Sequence, residues 1–185
     1  MSDSTRHDSW SAGESYERYM GRWSRQVAQH FLDWLAAPKD AAWLDLGCGT
    51  GALTQTILAR CSPSSVIGID PSAGFVAHAQ ATTKDARARF EVGDARKLPL
   101  PDASVDVAAS ALALNFVPDR IAALRELARV TRPTSKSGGG LLSFYVWDYP
   151  GGGMGFMRAF WDAAIALDPK AAELGEGGRL SLIHI

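Results

Sequence analysis

Short apolar runs alternate with helical patterns along the middle of the chain. Val27, Phe31, Trp34 and Leu35 recur at helical spacing, which predicts an amphipathic helix that stops before Pro38. The pattern then predicts five strands and four more helices. In chain order these are strand Ala42–Leu46, helix Leu53–Ala59, strand Val66–Ile69, helix Ser72–Thr82, strand Arg89–Val92, strand Val105–Leu112, helix Asp119–Val130, strand Leu141–Val146 and helix Met154–Leu167.

Strands separated by helices predict right-handed crossovers and a parallel sheet that is covered on both faces. The fold class is therefore α/β. The fourth apolar run, VDVAASALAL, is almost continuously apolar, which is typical of a central strand buried on both sides. In the helix that follows, Ile121, Leu124 and Leu127 are expected to face the core.

The strongest chemical signal is the sequence LDLGCGTG, a predicted strand that ends in glycines and opens into a helix. Gly47, Gly49 and Gly51 allow a sharp turn and a close approach of a ligand, because no Cβ stands in the way. Together with Ala52, Gly47 and Gly49 also satisfy the G-x-G-x-x-[GA] pattern of dinucleotide-binding proteins, which alone discriminates weakly.

The charge of the loop distinguishes between a dinucleotide and a cationic ligand. The segment 44–59 contains no lysine or arginine, and Asp45 lies just before the glycines. A carboxylate and a pyrophosphate a few ångströms apart repel each other by roughly a few kcal/mol at an intermediate dielectric. The loop is therefore better suited to a cation than to a dinucleotide.

These residues resemble motif I of class I S-adenosylmethionine-dependent methyltransferases, and the wider stretch resembles the type 11 domain group, which is similar to ubiquinone and menaquinone biosynthesis methyltransferases. The resemblance covers roughly residues 16–167. It implies a Rossmann-like, doubly wound, mainly parallel sheet with helices on both faces. It also implies S-adenosyl-L-methionine as the cofactor and in-line methyl transfer driven by alignment and desolvation. No catalytic residue is predicted, and no metal.

The resemblance implies a set of cofactor contacts beyond Asp45 and the three glycines. Asp70, at the end of the second strand, is expected to accept the ribose hydroxyls. Asp94 is expected to accept the adenine amino group, while the backbone amide of Ala95 meets a ring nitrogen. Ser110, in the fourth strand, completes the set on the sheet.

The N-terminal segment YERYMGRWS fits the part of the family that folds over the cofactor. Tyr19 and Arg22 are the candidates there for contacting the cofactor carboxylate, and packing of the segment on the sheet is the alternative. A general base is optional for this chemistry. If one exists it is expected within 110–119, where Asn115 is either an orienting residue or a loop cap.

The predicted acceptor is a small molecule. The chain has 19 Lys and Arg against 20 Asp and Glu, so its bulk charge does not favour nucleic acid. Residues 114–117, LNFV, also lack the [DNS]-P-P-[YFW] signature of DNA amino-methyltransferases. Tyr145, Trp147 and Tyr149 could line an acceptor pocket or pack in the core. No apolar run is long enough to span a membrane and no signal peptide is recognisable, which predicts a cytoplasmic protein.

The domain prediction has three parts: a disordered N-terminus at 1–12, a methyltransferase domain at 13–179, and a tail at 180–185. The tail LSLIHI resembles a translated sequencing-library adapter, and the family's final strand pair is expected to be missing. The cysteines Cys48 and Cys61 are expected to be reduced. Two alternatives remain open, an NAD(P)-binding oxidoreductase and a non-catalytic S-adenosylmethionine-binding fragment.

Overall fold

The structure is a computed structural model, and it describes residues 20–133, 139–146 and 155–173, apart from the side chains of Arg22 and Phe156. The predictions on segments 1–12 and 180–185 lie outside the described residues. The same holds for those on the residues Tyr19, Trp147 and Tyr149, and for the side chain of Arg22.

Each of the predicted strands and helices is present, with bounds that differ by at most two residues, except that the N-terminal helix begins at Arg22, five residues before Val27. Two helices begin directly after a residue whose side chain caps the helix N-terminus. Ser72 accepts a hydrogen bond from the Phe75 amide, and Asp119 accepts one from the Ala122 amide. The elements are α1 Arg22–Leu35, β1 Ala42–Leu46, α2 Ala52–Arg60, β2 Ser65–Asp70, α3 Ala73–Thr82, β3 Ala88–Val92, β4 Val107–Ala111, α4 Arg120–Val130, β5 Leu141–Tyr145 and α5 Gly155–Leu167, with 3-10 turns at Leu114–Phe116 and Pro169–Glu173.

The five described strands form one parallel sheet in the order β3-β2-β1-β4-β5. The chain moves outward from β1 to β3 on one side and then returns to place β4 on the other side of β1. The carboxyl ends of β1 and β4 therefore lie at the point where the strand order reverses, which is where open α/β sheets bind ligands. The α/β, doubly wound prediction is confirmed.

Alternate residues of β1 face two different cores. Leu44 and Leu46 pack with Leu127 of α4 on one face of the sheet. Trp43 packs with Phe31 of α1 and with α2 on the other face. Helices therefore cover both faces, and β4 is buried on both sides as its sequence predicts.

Two predictions of inward-facing residues are wrong in part. On α1, Val27 and Trp34 are 44% and 74% exposed, whereas the inward face centres on Ala28 and Leu32, which are almost fully buried. On α4, Ile121 is 46% exposed. Small residues let a helix approach the sheet closely, so the packed stripe of α1 centres on an alanine that a search for large apolar residues passes over.

Candidate functional site

The glycine loop between β1 and α2 has left-handed backbone at all three glycines, with φ of +72° at Gly47, +53° at Gly49 and +92° at Gly51. A Cβ on Gly47 would lie 2.2 Å from the Cβ of Ala113, so the loop and the end of β4 are in close contact there. A Cβ on Gly49 would meet nothing within 4 Å. Gly47 thus serves packing, and Gly49 leaves open space in which a ligand could approach the backbone.

Asp45 lies in β1 directly before this loop and is fully buried. Its Oδ2 accepts a 2.7 Å hydrogen bond from the hydroxyl of Thr54 on α2. Its Oδ1 is buried and has no hydrogen-bond partner among the described residues. Burial raises the pKa of Asp45 to about 7, although the Thr54 hydrogen bond works in the opposite direction. A buried carboxylate with a free oxygen is costly, and a cationic ligand would offset that cost.

Asp70 ends β2 and is 7% exposed. Its two oxygens each accept a backbone hydrogen bond of 2.9 Å, one from the Gly49 amide and one from the Ser72 amide. Burial raises the pKa of Asp70, while these two amides oppose the rise. Each oxygen keeps a second lone pair, so Asp70 can hold the glycine loop in place and still accept ligand hydroxyls as predicted.

An open cleft lies between the glycine loop and the carboxyl end of β4. Its side toward β1 and α2 is polar and glycine-rich, whereas its other side is largely apolar. None of the described residues that line it is lysine or arginine. The lining residues are Ser24, Asp45, Gly47, Cys48, Gly49, Thr50, Ala52, Leu53, Ala111, Leu112 and Tyr145.

Asp94 follows β3 at the same edge of the sheet, and its carboxylate is half-exposed. It accepts hydrogen bonds from the Arg96 guanidinium, the shortest at 2.6 Å, and from the Arg96 amide at 2.9 Å. These hydrogen bonds lower the pKa of Asp94. A ligand amino group would share the carboxylate with Arg96, a pairing that sequence reasoning did not anticipate. Ala95 is partly buried against the core face that contains Leu44.

The predicted contact at Ser110 competes with an internal hydrogen bond. Ser110 is 1% exposed, and its hydroxyl donates a 2.8 Å hydrogen bond to the carbonyl of Leu46. This bond joins β4 to β1 immediately beside the glycine loop. Asn115 lies in the 3-10 turn after β4 and is 2% exposed. Its role in orienting an acceptor stays a prediction.

Two residues that line the cleft, Ser24 and Leu112, and the hydrogen-bond partner of Asp45, Thr54, were missed by sequence reasoning. Thr54 is a fully buried hydroxyl in a helix, and its position one helical turn after Gly51 was the available signal. Ser24 lines the cleft from α1. Leu112 adopts left-handed backbone with φ +57°, and its amide donates a 2.8 Å hydrogen bond to the carbonyl of Tyr145. No sequence pattern marks a leucine for that conformation.

Cys48 is buried beside Phe90 and Ala79, and both cysteines are free thiols. Within the described ranges, no group of three or more His, Cys, Asp or Glu residues is arranged to hold a metal ion. In the same part of the chain, each helix is too short or too polar to cross a bilayer.

Comparison with known proteins gives a consistent family. The family model for a methyltransferase domain matches residues 44–137, about half of the chain, which contain the glycine loop, Asp70 and Asp94. Malonyl-[acyl-carrier protein] O-methyltransferase of Yersinia pestis is 33% identical over 137 residues, which are 74% of this chain and 45% of that protein. The 2-methyl-6-phytyl-1,4-hydroquinone methyltransferase of Synechocystis sp. is 38% identical over 112 residues, 60% of this chain and 33% of that protein.

Among solved structures, an S-adenosylmethionine-dependent methyltransferase from Mesorhizobium loti is similar with a TM-score of 0.54 and 30% identity, covering 65% of this chain and 52% of that one. The chain spans less than half the length of the two curated relatives. The region that the family model matches nevertheless contains the glycine loop, Asp70 and Asp94. The chain therefore belongs to the methyltransferase domain family.

Proposed function

We propose that this chain carries the cofactor site of an S-adenosylmethionine-dependent methyltransferase that acts on a small molecule. The observation that carries the proposal is the buried carboxylate of Asp45, whose Oδ1 has no partner among the described residues and which lines the cleft next to Gly49. A site that buries a carboxylate beside open glycine backbone and is lined by no described lysine or arginine favours a cation over a phosphate.

The residues present fit the cofactor. Asp45 would accept a hydrogen bond from the ammonium group of the cofactor. The open space at Gly49 would let the cofactor approach the backbone closely. Asp70 would accept the ribose hydroxyls, and Asp94 with the Ala95 amide would contact the adenine. When bound, S-adenosylmethionine supplies a methyl group on a positively charged sulfur.

The chain's own contribution is alignment and exclusion of water. Leu112, Ala111 and Tyr145 supply the largely apolar side of the cleft opposite the glycine loop. Holding two reactants in line can lower a barrier by roughly 7 to 11 kcal/mol, so a reaction with a good leaving group can proceed without a dedicated base.

A small acceptor group is supported by the two relatives, whose names state a malonyl-[acyl-carrier protein] and a 2-methyl-6-phytyl-1,4-hydroquinone. The proposed acceptor presents a carboxyl, a hydroxyl or an activated ring carbon. A cytoplasmic location and the exclusion of nucleic acid remain predictions. Neither the charge of the cleft nor the reported relatives support the oxidoreductase alternative.

Isothermal titration with S-adenosylhomocysteine tests the cofactor site. The wild-type chain should bind it saturably and should not bind NADH. Asp45→Asn keeps the shape and the Thr54 hydrogen bond but removes the charge, so affinity should fall by about 10- to 100-fold, the usual value of a hydrogen bond to a charged group. Asp106→Asn, the same change at the opposite edge of the sheet, should leave the affinity within about twofold.

Binding of NADH without S-adenosylhomocysteine would contradict the proposal, as would equal losses in the two variants. Radiolabelled methyl transfer to a panel of carboxyl, phenol and hydroquinone acceptors then separates the enzyme from the non-catalytic fragment. Labelled product supports the enzyme. Tight cofactor binding with no product across the panel would favour the fragment.

A further inference from the structure

Arg129, in the last turn of α4, uses its five N–H donors on two carboxylates and two backbone carbonyls. Its Nη1 donates to the Leu100 carbonyl at 2.8 Å and to Asp102 at 2.7 Å. Its Nη2 donates to the Leu98 carbonyl at 3.1 Å and to Glu126 at 2.7 Å. Its Nε donates to the other oxygen of Glu126 at 2.7 Å. Only the planar fork of arginine can reach so many acceptors at once.

Glu126 binds the same segment as a hydrogen-bond acceptor, whereas Arg129 binds it as a donor. Its Oε2 accepts a 2.7 Å hydrogen bond from the Leu98 amide, so both backbone polar groups of Leu98 are bound to α4 side chains. The next residues, Pro99 and Pro101, have no amide hydrogen, and each restricts the residue before it to extended backbone. In the described part of the chain, the segment 98–102 belongs to no strand, and hydrogen bonds to Arg129 and Glu126 fix it to α4.

This fixed segment continues directly from the turn that carries Asp94. The Lys97 amide donates to the Asp94 carbonyl at 3.0 Å, which closes the turn. At its other end, the Gly93 amide donates to the Asp70 carbonyl at 3.1 Å. The turn 93–97 is therefore held at one end by β2 and at the other by the segment bound to Arg129, and loosening either end would let Asp94 move.

The buried side chains of Leu98 and Leu100 anchor the segment to the core. The hydrogen bonds to Arg129 and Glu126 are therefore not needed merely to keep the segment attached. The pair is also partly exposed, with side chains 31% and 19% exposed, and ion pairs of this kind usually add about 0 to 1 kcal/mol to stability. Three of its hydrogen bonds are to backbone atoms of Leu98 and Leu100, so the pair restrains the backbone of the segment.

We propose that Arg129 and Glu126 are positioning residues, which act through the segment 98–102 to set where Asp94 and the Ala95 amide meet the base of the cofactor. This inference rests on the proposed function. It assigns to α4, which does not line the cleft, a role in distinguishing adenine from other bases.

The test compares two probes, S-adenosylhomocysteine and S-inosylhomocysteine, which differ in the group that Asp94 and Ala95 would contact. The inosine base presents an oxygen toward the carboxylate and an N–H toward the Ala95 amide, so the wild-type chain should prefer the adenosine probe. In Arg129→Met this preference should fall by about tenfold, because the selective hydrogen bond is lost while the other contacts remain. Affinity for the inosine probe should stay within about twofold.

Arg87→Met is the matched control. Arg87 also joins a carboxylate, Asp85, to a backbone carbonyl, that of Leu58, but it precedes β3 at the far edge of the sheet. Its removal should leave the preference between the probes unchanged. Thermal unfolding of each variant reports structural damage separately. Should Arg129→Met unfold, Arg129→Lys, which keeps the charge but loses the fork, gives the same comparison.

A normal preference in a folded Arg129→Met or Arg129→Lys protein, whatever its melting temperature, would overturn the positioning role and leave the proposed function intact. An equal loss for both probes would also overturn it. Failure of the wild-type chain to bind S-adenosylhomocysteine would overturn the proposed function together with this inference.

Discussion

Two buried or half-buried aspartates at opposite edges of the sheet have different surroundings. At the amino edge, Asp106 uses both oxygens internally: Oδ2 accepts the Ala42 amide at 2.8 Å, and Oδ1 pairs with Arg132. At the carboxyl edge, Asp45 uses one oxygen on Thr54 and leaves the other without a described partner. Asp106 therefore joins separate segments of the chain, whereas Asp45 leaves one carboxylate oxygen available for a further hydrogen bond.

In this fold, the polar groups that stabilise the chain differ from those available to a ligand in how completely the chain itself satisfies their hydrogen bonds. Polar groups whose hydrogen bonds are all made within the chain stabilise the fold, and their loss should lower the free energy of unfolding. A buried polar group that stays unsaturated costs free energy, so it persists where a ligand offsets the cost. The same contrast holds within the glycine loop, where Gly47 is packed and Gly49 faces open space.

The largest expected effect is on the glycine loop. Gly47→Ala should lower the free energy of unfolding by about 2 to 5 kcal/mol, because the new Cβ is strained at positive φ and overlaps Ala113. Gly49→Ala should cost only about 1 kcal/mol, since it adds strain without a clash. Urea denaturation of both variants measures the difference. Equal losses would show that the loop is not packed against the end of β4 as described.

The next effect is the pH dependence that Asp45 confers. Its pKa rises from 3.8 to about 7 on folding, so between these values the folded chain binds a proton that the unfolded chain has released. Stability should therefore fall as pH rises from about 4 to 7 and then level off, by at most about 4 kcal/mol.

Asp45→Asn has no such group and should lack this part of the pH dependence. Relative to wild type it should gain about 1 to 3 kcal/mol between pH 5 and pH 8, measured by denaturation at both values. Parallel curves for the two proteins would show that the Asp45 carboxyl is not held in the protonated form by burial.

The smallest effect belongs to the amino edge. Asp106→Ala leaves the Ala42 amide without its side-chain acceptor and Arg132 without its carboxylate, which should cost about 1 to 2 kcal/mol in urea denaturation. Its affinity for S-adenosylhomocysteine should stay within about twofold of wild type. A loss as large as that expected for Asp45→Asn would remove the distinction between the two edges.

Much of the fold followed from the sequence because hydrophobic periodicity and capping residues are local signals. The run VDVAASALAL marked the buried strand β4, and Asp119 marked the start of α4. The centre of a packed face is not local: Trp34 is exposed and Ala28 is buried because of what lies opposite α1. Periodicity gives a helix and its stripe, and the neighbouring elements decide which residues of the stripe touch the core.

In the site, residue types and their spacing predicted the glycines, Asp45 and Asp70 at the edge where the structure places them. The partners of those residues were not predictable. The pairing of Asp94 with Arg96, the Thr54 hydrogen bond and the left-handed Leu112 depend on side-chain rotamers and on contacts between segments distant in sequence. Such contacts arise only once the sheet has assembled.

The walls of the cleft come from parts of the chain as far apart as Ser24 and Tyr145. A proteolytic fragment that ends before β5 would lack one wall even if its glycine loop were intact. Retention on an immobilised cofactor analogue would consequently select chains in which the assembly from α1 to β5 is complete. A saturating ligand at about 100 times its dissociation constant would protect that whole assembly by about 2.7 kcal/mol, not the loop alone.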